Sequence, residues 1–250
     1  MRPAASIESA EIERFSRVAE DWWNPDGKFR PLHRLNPLRV EYVRDQICAH
    51  FNRDVASRAS LKDLKILDIG CGGGLLAEPM ARLGAYVVGL DASEQTISVA
   101  RAHAKLSRLA IDYRAGSVEE LARRAERFDV ITALEVAEHV ADLDSFLEAI
   151  KKLLKPGGLL IMSTLNRTPK SFLLGIVAAE YILGWVPRGT HEWKKFIRPG
   201  ELAERLSAAG IEALSMTGMV FNPFSGEFGL HEGDLDVNYL LTATNAGGRN

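Results

Sequence analysis

An α/β fold, with a mostly parallel seven-stranded sheet and helices on both faces, is what this sequence predicts. Three observations predict it. From Lys65 onward, apolar strand-like runs alternate with helical runs, the pattern of βαβ units around a parallel sheet. Directly after the first of those runs, "LKILDIGCGGGLLAE" (Leu64 to Glu78) sets four glycines into five positions. The 250 residues, 46% hydrophobic and 26% charged, suffice for one well-cored domain and are short for two. The expected organisation is a single domain over 1–250, with an N-terminal helical cap (1–60) on a core (61–250) that carries an insertion at 168–198.

The elements follow in order. Ile12, Phe15, Ala19 and Trp22 form the stripe of an amphipathic helix over Glu8–Trp23, and a polar, proline-punctuated stretch, "NPDGKFRPLHRLNPLR", comes after it. Strands are expected at Lys65–Gly70, Tyr86–Asp91, Ile111–Ala115, Phe128–Leu134 and Gly158–Thr164. Helices are expected at Leu75–Leu83, Ser93–Ser107, Val118–Ala125 and Asp142–Leu154. Pro79, in the first of these helices, is either tolerated among N–H groups that lack internal partners or kinks the helix. A further helix near Gly200–Ala209 and two strands, Glu212–Val220 and Val237–Thr244, complete the pattern.

Bulk properties narrow the function classes. A formal net charge of -2 gives no support for nucleic-acid binding. The two cysteines, Cys48 and Cys71, sit in no metal-ligand spacing, so a reduced, cytoplasmic setting is expected. The first residues carry no apolar segment of the signal-peptide type, and no run reaches the roughly 18 apolar residues of a spanning helix.

The glycine turn admits two ligands. Gly72, Gly74 and Ala77 satisfy a relaxed dinucleotide-binding pattern, while Gly70, Gly72 and Gly74, with Asp68 ahead of them, satisfy G-x-G-x-G. Asp91, at the tip of the next strand, can accept hydrogen bonds from a ribose diol, which NAD and S-adenosylmethionine both carry. Ser93 is the better cap for the helix that follows.

The rest of the chain decides between them. "LDIGCGGG", "VVGLD", "FDVITALEVAEHV" and "LLKPGGLLIMSTLNR" occur in the order and spacing of class I S-adenosylmethionine-dependent methyltransferases, which are Rossmann-like, and the chain resembles them from about Leu64 onward. "DWWNPDGKFRPLHRLNPLRVEYV", "EVAEHV", "STLNRTPKSFLLGIVAAEYILGWVPRGTHEWKKFIRPGEL" and "DVNYL" extend the resemblance, over nearly the whole chain, to the ubiquinone-biosynthesis O-methyltransferases. That resemblance implies methylation of phenolic hydroxyls on polyprenylated catechol or quinol intermediates, at both O-methylation steps. It implies S-adenosylmethionine held by Asp68, Gly70, Gly72 and Gly74 along its methionine and ribose, with Asp91 on the diol. Ser117 and Val118 would flank the adenine, Leu134 would lie over the sulfonium, and Arg39 would reach the methionyl carboxylate.

"LEVAEHV" places Glu135, Glu138 and His139 together, on one face if the stretch is helical. Two mechanisms can use them. His139 can remove a phenolic proton while Glu138 or Glu135 steadies the imidazolium. Alternatively, the three can ligate a divalent cation that both catechol oxygens chelate. Two carboxylates and one imidazole suit Mg²⁺, Mn²⁺ or Zn²⁺, with Mg²⁺ first by abundance, and the family resemblance favours the metal role. Ala137 is smaller than the bulky apolar residue the family pattern implies there.

The most apolar stretch lies within "PKSFLLGIVAAEYILGWVPRGTHEWKKF". Over 171–186 it reads either as a buried helix over the active-site mouth or as an interfacial helix with a basic flank, bringing the enzyme to lipid as a peripheral membrane protein. Contacts with other ubiquinone-biosynthesis proteins are a further implication of the family. Two other functions stand beside the methyltransferase: an NAD(P)-dependent oxidoreductase using the same turn, and a non-catalytic lipid-binding protein of the same fold.

Overall fold

The computed structural model describes residues 21–27, 29–173, 192–222 and 225–247. The expected helix over Glu8–Trp23, apart from its last residues, and most of the apolar stretch over 171–186 lie outside the described residues. Eight strands form one sheet: β1 (Lys65–Ile69), β2 (Tyr86–Asp91), β3 (Asp112–Ala115), β4 (Phe128–Leu134), β5 (Leu154–Leu165), β6 (Glu212–Asn222), β7 (Glu227–His231) and β8 (Asn238–Thr244). Their order is β3-β2-β1-β4-β5-β8-β6-β7. The first five run parallel, as the βαβ alternation predicts, and β8, β6 and β7 close the sheet antiparallel.

The eighth strand corrects the expected count of seven. "EFGLH" at β7 carries a glycine and charged residues and has little β-propensity of its own. It exists because it pairs with β6, from Gly218↔His231 to Asn222↔Glu227. β5 also begins earlier than expected, at Leu154 rather than Gly158, and a register shift between Phe128 and Val130 absorbs the Pro156–Gly157 turn.

The helices are α1 (Arg30–His50), α2 (Ala77–Arg82), α3 (Glu94–Leu106), α4 (Val118–Leu121), α5 (Leu143–Leu153) and α6 (Pro199–Ala208). α1 takes up the later part of the polar, proline-punctuated stretch and runs on to His50, within the span expected to be a helical cap. Pro31 stands in its first turn, where the missing N–H has no intrahelical partner, and Pro37 lies inside it. What holds the helix is burial: Val43 and Ile47 are fully enclosed, and Tyr42 Oη is 2.9 Å from Thr242 Oγ1 of β8. α2 is shorter than the nine-residue helix expected, and Pro79 falls in its first turn, so it is tolerated without a kink.

Alternate strand residues feed two cores. Leu67, Ile69, Leu90, Ile131 and Met162 pack beneath α5 and α6, with Phe146, Ile150, Leu202 and Leu206. Ile66, Val87, Val130 and Ile161 pack on the other face, with Val43 and Ile47 of α1, Met80 of α2 and Ile97 of α3. The period-2 alternation of each strand is thus spent on both faces. The carboxyl ends of β1, β2 and β4, three neighbours in the sheet, are left side by side as the place where ligands bind open α/β sheets.

Candidate active site

The turn after β1 is built from backbone. Gly70, Gly72 and Gly74 all have positive φ (67°, 54° and 95°), which glycine adopts without steric cost. Gly70 N–H and Cys71 N–H both donate to Leu90 O, at 2.7 and 3.1 Å, so the turn is pinned to the tip of β2. A Cβ on Gly70 would stand 2.4 Å from Val136 Cγ2, and one on Gly74 would stand 2.1 Å from Tyr113 Oη. The turn is therefore close-packed at Gly70 and Gly74. Cys48 and Cys71 are both buried free thiols, and burial raises the Cys71 thiol well above its ordinary value.

Asp68 and Asp91 flank this turn. Parallel pairing sets Asp68 opposite Thr132, whose hydroxyl donates to Asp68 Oδ1 at 2.7 Å. Asp68 Oδ2 is buried with no partner. Burial pushes the Asp68 carboxyl up to about 7, the Thr132 hydrogen bond opposes that, and the nearby Asp91 charge adds to it. Asp91 accepts from Ser93 N–H at 2.9 Å and from Gly72 N–H at 3.1 Å, and burial raises it against those two bonds. Ser93, as expected, caps α3 by accepting from Thr96 N–H at 3.1 Å. Ser117 caps α4 in a capping box with Glu120, and Val118 beside it is buried.

The turn after β4 is built from side chains. Leu134, half-buried, ends the strand opposite Ser163 of β5. Glu135 then adopts φ 56°, the left-handed region that a non-glycine residue rarely enters and that costs free energy unless surroundings impose it. Four groups impose it. Arg39 Nη2 of α1 donates to Glu135 Oε1 at 2.8 Å, Ser163 Oγ donates to the same oxygen at 2.6 Å, and Asn238 Nδ2 of β8 lies 3.0 and 3.1 Å from the two oxygens. Glu135 N–H also donates to Ser163 O at 3.0 Å.

Glu138 stands in a single helical turn, Ala137–His139. It is buried, accepts from Thr164 Oγ1 at 2.8 Å through Oε2, and leaves Oε1 buried without a partner. Burial and then the Glu135 charge raise its carboxyl to about 7, while His139 and Thr164 act to lower it.

The condition under which Glu135, Glu138 and His139 share a helical face does not hold. The left-handed residue at Glu135 breaks the helix ahead of the turn, so Glu135 goes to Arg39 and Glu138 goes to Thr164. Among the described residues, no three His, Cys, Asp or Glu side chains gather to hold a metal ion. The donor set as arranged does not fit a resident divalent cation, because Arg39 already neutralises Glu135. Arg39 is a buried ion-pair member, and its Nε has no hydrogen-bond partner.

Several contributors escaped the sequence reading. Thr132, Ser163, Thr164 and Asn238 act only through pairing in the sheet, and nothing in their local sequence announces it. Tyr113 fills the space under Gly74 and Gly89. Trp22, placed by periodicity on a helix stripe, instead lies over Gly72 and Gly73.

Comparison with known proteins places the chain in a family. A family model described as a methyltransferase domain matches residues 67–162. A ubiquinone biosynthesis O-methyltransferase of Cereibacter sphaeroides is 53% identical over 243 residues, spanning 97% of this chain and 98% of its own length. One from Dinoroseobacter shibae is 54% identical over 238 residues, spanning 95% and 96%. Among solved structures, the magnesium protoporphyrin IX methyltransferase of Synechocystis PCC 6803 with bound SAH aligns with TM-score 0.64 at 21% identity, covering 94% of both chains. A SAM-dependent methyltransferase of Thermotoga maritima, a possible histamine N-methyltransferase, aligns with TM-score 0.65 at 21% identity, covering 94% of this chain and 98% of that one. Likeness at that identity establishes the Rossmann-like methyltransferase fold.

Proposed function

The chain belongs to the ubiquinone biosynthesis O-methyltransferases, and from that premise we propose how its residues carry out the reaction. It is an S-adenosylmethionine-dependent O-methyltransferase. The cofactor lies along the glycine turn, with its ribose diol on Asp91 and its methionyl ammonium on Asp68, whose unpartnered Oδ2 is the acceptor such a cation needs. Ser117 and Val118 border the adenine, and Leu134 faces the sulfonium.

His139 takes the phenolic proton, and Glu138, beside it, stabilises the imidazolium once ionised. The phenolate oxygen then displaces the thioether in line with the S–CH₃ bond. The sulfonium is already an activated donor, so alignment and a deprotonated nucleophile are what the protein supplies. The observation that carries this reading is Glu138: a buried carboxylate with one oxygen on Thr164 and the other unpartnered, on the turn that follows β4. Glu135 is reserved for holding Arg39, and it has no part in the proton transfer.

The substrate is a polyprenylated catechol or quinol, taken at both O-methylation steps. Phe172 and Leu173, large apolar side chains 46% and 58% exposed at the start of the insertion, support a lipid-facing approach. No helix among the described residues is long and apolar enough to cross a membrane, and peripheral contact through 171–186 is the route proposed. Deleting 171–186 should reduce binding to anionic vesicles more than binding of S-adenosylhomocysteine.

The test of the catalytic assignment is methyl transfer from labelled cofactor to a model catechol. Glu138→Gln should lower kcat about 100-fold, at the lower end for general acid–base groups, with cofactor affinity retained. Wild-type kcat should rise with pH through about 7, as Glu138 ionises, and the variant should lose that limb. An unchanged kcat would remove Glu138 from the chemistry.

A further inference from the structure

We propose that Trp22 is a cofactor-binding residue: its indole roofs the glycine turn, and its ring N–H donates to the carboxylate of bound S-adenosylmethionine. The proposal rests on the cofactor reading above and assigns a contact for which the sequence suggested only Arg39.

The ring position is fixed by the turn it covers. A Cβ added to Gly72 would stand 2.5, 2.7 and 2.9 Å from Cη2, Cζ2 and Cζ3 of Trp22, and one added to Gly73 would stand 2.7 Å from its Cβ. The indole thus lies against the backbone of both glycines. Phe29 stacks on it, with ring centroids 4.0 Å apart and planes 11° from parallel.

The neighbouring residue holds the strap in place. Trp23 Nε1 donates to Gly73 O at 2.9 Å, and its ring stacks on His103 with centroids 3.4 Å apart. His103 Nδ1 lies 2.6 Å from Glu78 Oε1 on α2, the helix that the glycine turn leads into. His33 Nε2 lies 2.8 Å from Trp22 O. The pair of tryptophans is therefore tied to the turn, to α1 and to α3 at once.

One polar group in this arrangement has nothing to bind. Trp22 Nε1 is buried with no hydrogen-bond partner, whereas Trp23 Nε1 has one. A buried indole N–H ordinarily finds an acceptor, and an orphan is costly. The cofactor offers three kinds of acceptor. The diol is matched to Asp91, which accepts from it, and the ring nitrogens of adenine belong to the far end near Ser117. The methionyl carboxylate remains. Arg39 spends Nη2 on Glu135 and keeps Nε to offer, while a carboxylate has two oxygens to satisfy; Trp22 Nε1 supplies a further donor, and a bond from a neutral N–H to a carboxylate is charge-assisted.

The test compares two ligands on the full chain by titration calorimetry: S-adenosylhomocysteine, and 5′-methylthioadenosine, which keeps the nucleoside and thioether but has no amino-acid carboxylate. Trp22→Phe keeps the stack on Phe29 and deletes the donor. It should weaken S-adenosylhomocysteine about tenfold while leaving 5′-methylthioadenosine within about twofold. Trp22→Ala, which removes the roof as well, should weaken both. Equal S-adenosylhomocysteine affinity in wild type and Trp22→Phe would overturn the proposal, as would an equal loss for both ligands in Trp22→Phe. Tighter binding by Trp22→Ala would also overturn it, by showing that the ring fills space the cofactor needs. Failure of the wild type to bind S-adenosylhomocysteine would instead overturn the cofactor reading.

Discussion

Two turns at the same end of the sheet solve the same problem in opposite ways. Each follows a parallel strand and each bends the chain through the left-handed region. The turn after β1 does so with Gly70, Gly72 and Gly74, residues that adopt positive φ without cost, and its shape is written in its own sequence. The turn after β4 does so with Glu135 at φ 56°, and that conformation is held by Arg39 from α1, Ser163 from β5 and Asn238 from β8. The difference teaches where robustness lies. The glycine turn depends on what is absent from its backbone, and the acidic turn depends on partners that arrive only when the sheet is complete.

The sharpest way to break the comparison is to remove the charge from the second turn. Glu135→Ala leaves Arg39 buried and unpaired, and loss of one partner of such an ion pair should cost about 3 kcal/mol of unfolding free energy, measured by urea denaturation. Unchanged stability would show that Arg39 does not hold the acidic turn. The reciprocal change, Gly70→Ala, sets a Cβ 2.4 Å from Val136 Cγ2 at φ 67°. Left-handed strain and overpacking together should cost about 2 kcal/mol, read as the same denaturation midpoint shift and as lost S-adenosylhomocysteine binding.

The next effect separates backbone from side chain within the glycine turn itself. Asp91→Ala removes the acceptor proposed for the diol and the carboxylate that takes Gly72 N–H, so S-adenosylhomocysteine affinity should fall about tenfold in calorimetry.

Smaller still are two pH effects, both following from carboxyls that burial raises to about 7. An ammonium ligand favours ionised Asp68, so S-adenosylhomocysteine affinity should rise with pH up to about 7 and level off above it. Asp68→Asn should flatten that profile. For Glu138 the sign runs the other way on stability. The unfolded carboxyl releases its proton near its ordinary value while the folded one keeps it to about 7. Unfolding therefore releases a proton in that window, and stability falls as pH rises through it. Melting temperatures of the apo protein should fall less steeply over that range in Glu138→Gln than in wild type, and parallel slopes would show that Glu138 is not buried as a neutral acid.

What the sequence by itself determined is what local spacing can encode. Strand–helix alternation from Lys65 placed the five parallel strands. The run of glycines behind an apolar strand placed the turn after β1, because only glycine tolerates those dihedrals at that close approach, and the apolar run of β2 placed Asp91 at its tip. "STLNR" and "DVNYL" carried the family, yet gave no role to Ser163, Thr164 or Asn238. Tertiary structure alone decided those roles, since a hydrogen bond from Asn238 of β8 to Glu135 beyond β4 is set by strand order, which no local window contains. It also decided that α1 would run through Pro37, since burial of Val43 and Ile47 outweighs one lost helical bond, and that Glu135 and Glu138 would part company. The spacing that set two acids and a histidine on one helical face presupposed a helix, and four side-chain and backbone contacts from distant segments supplied a left-handed residue in its place.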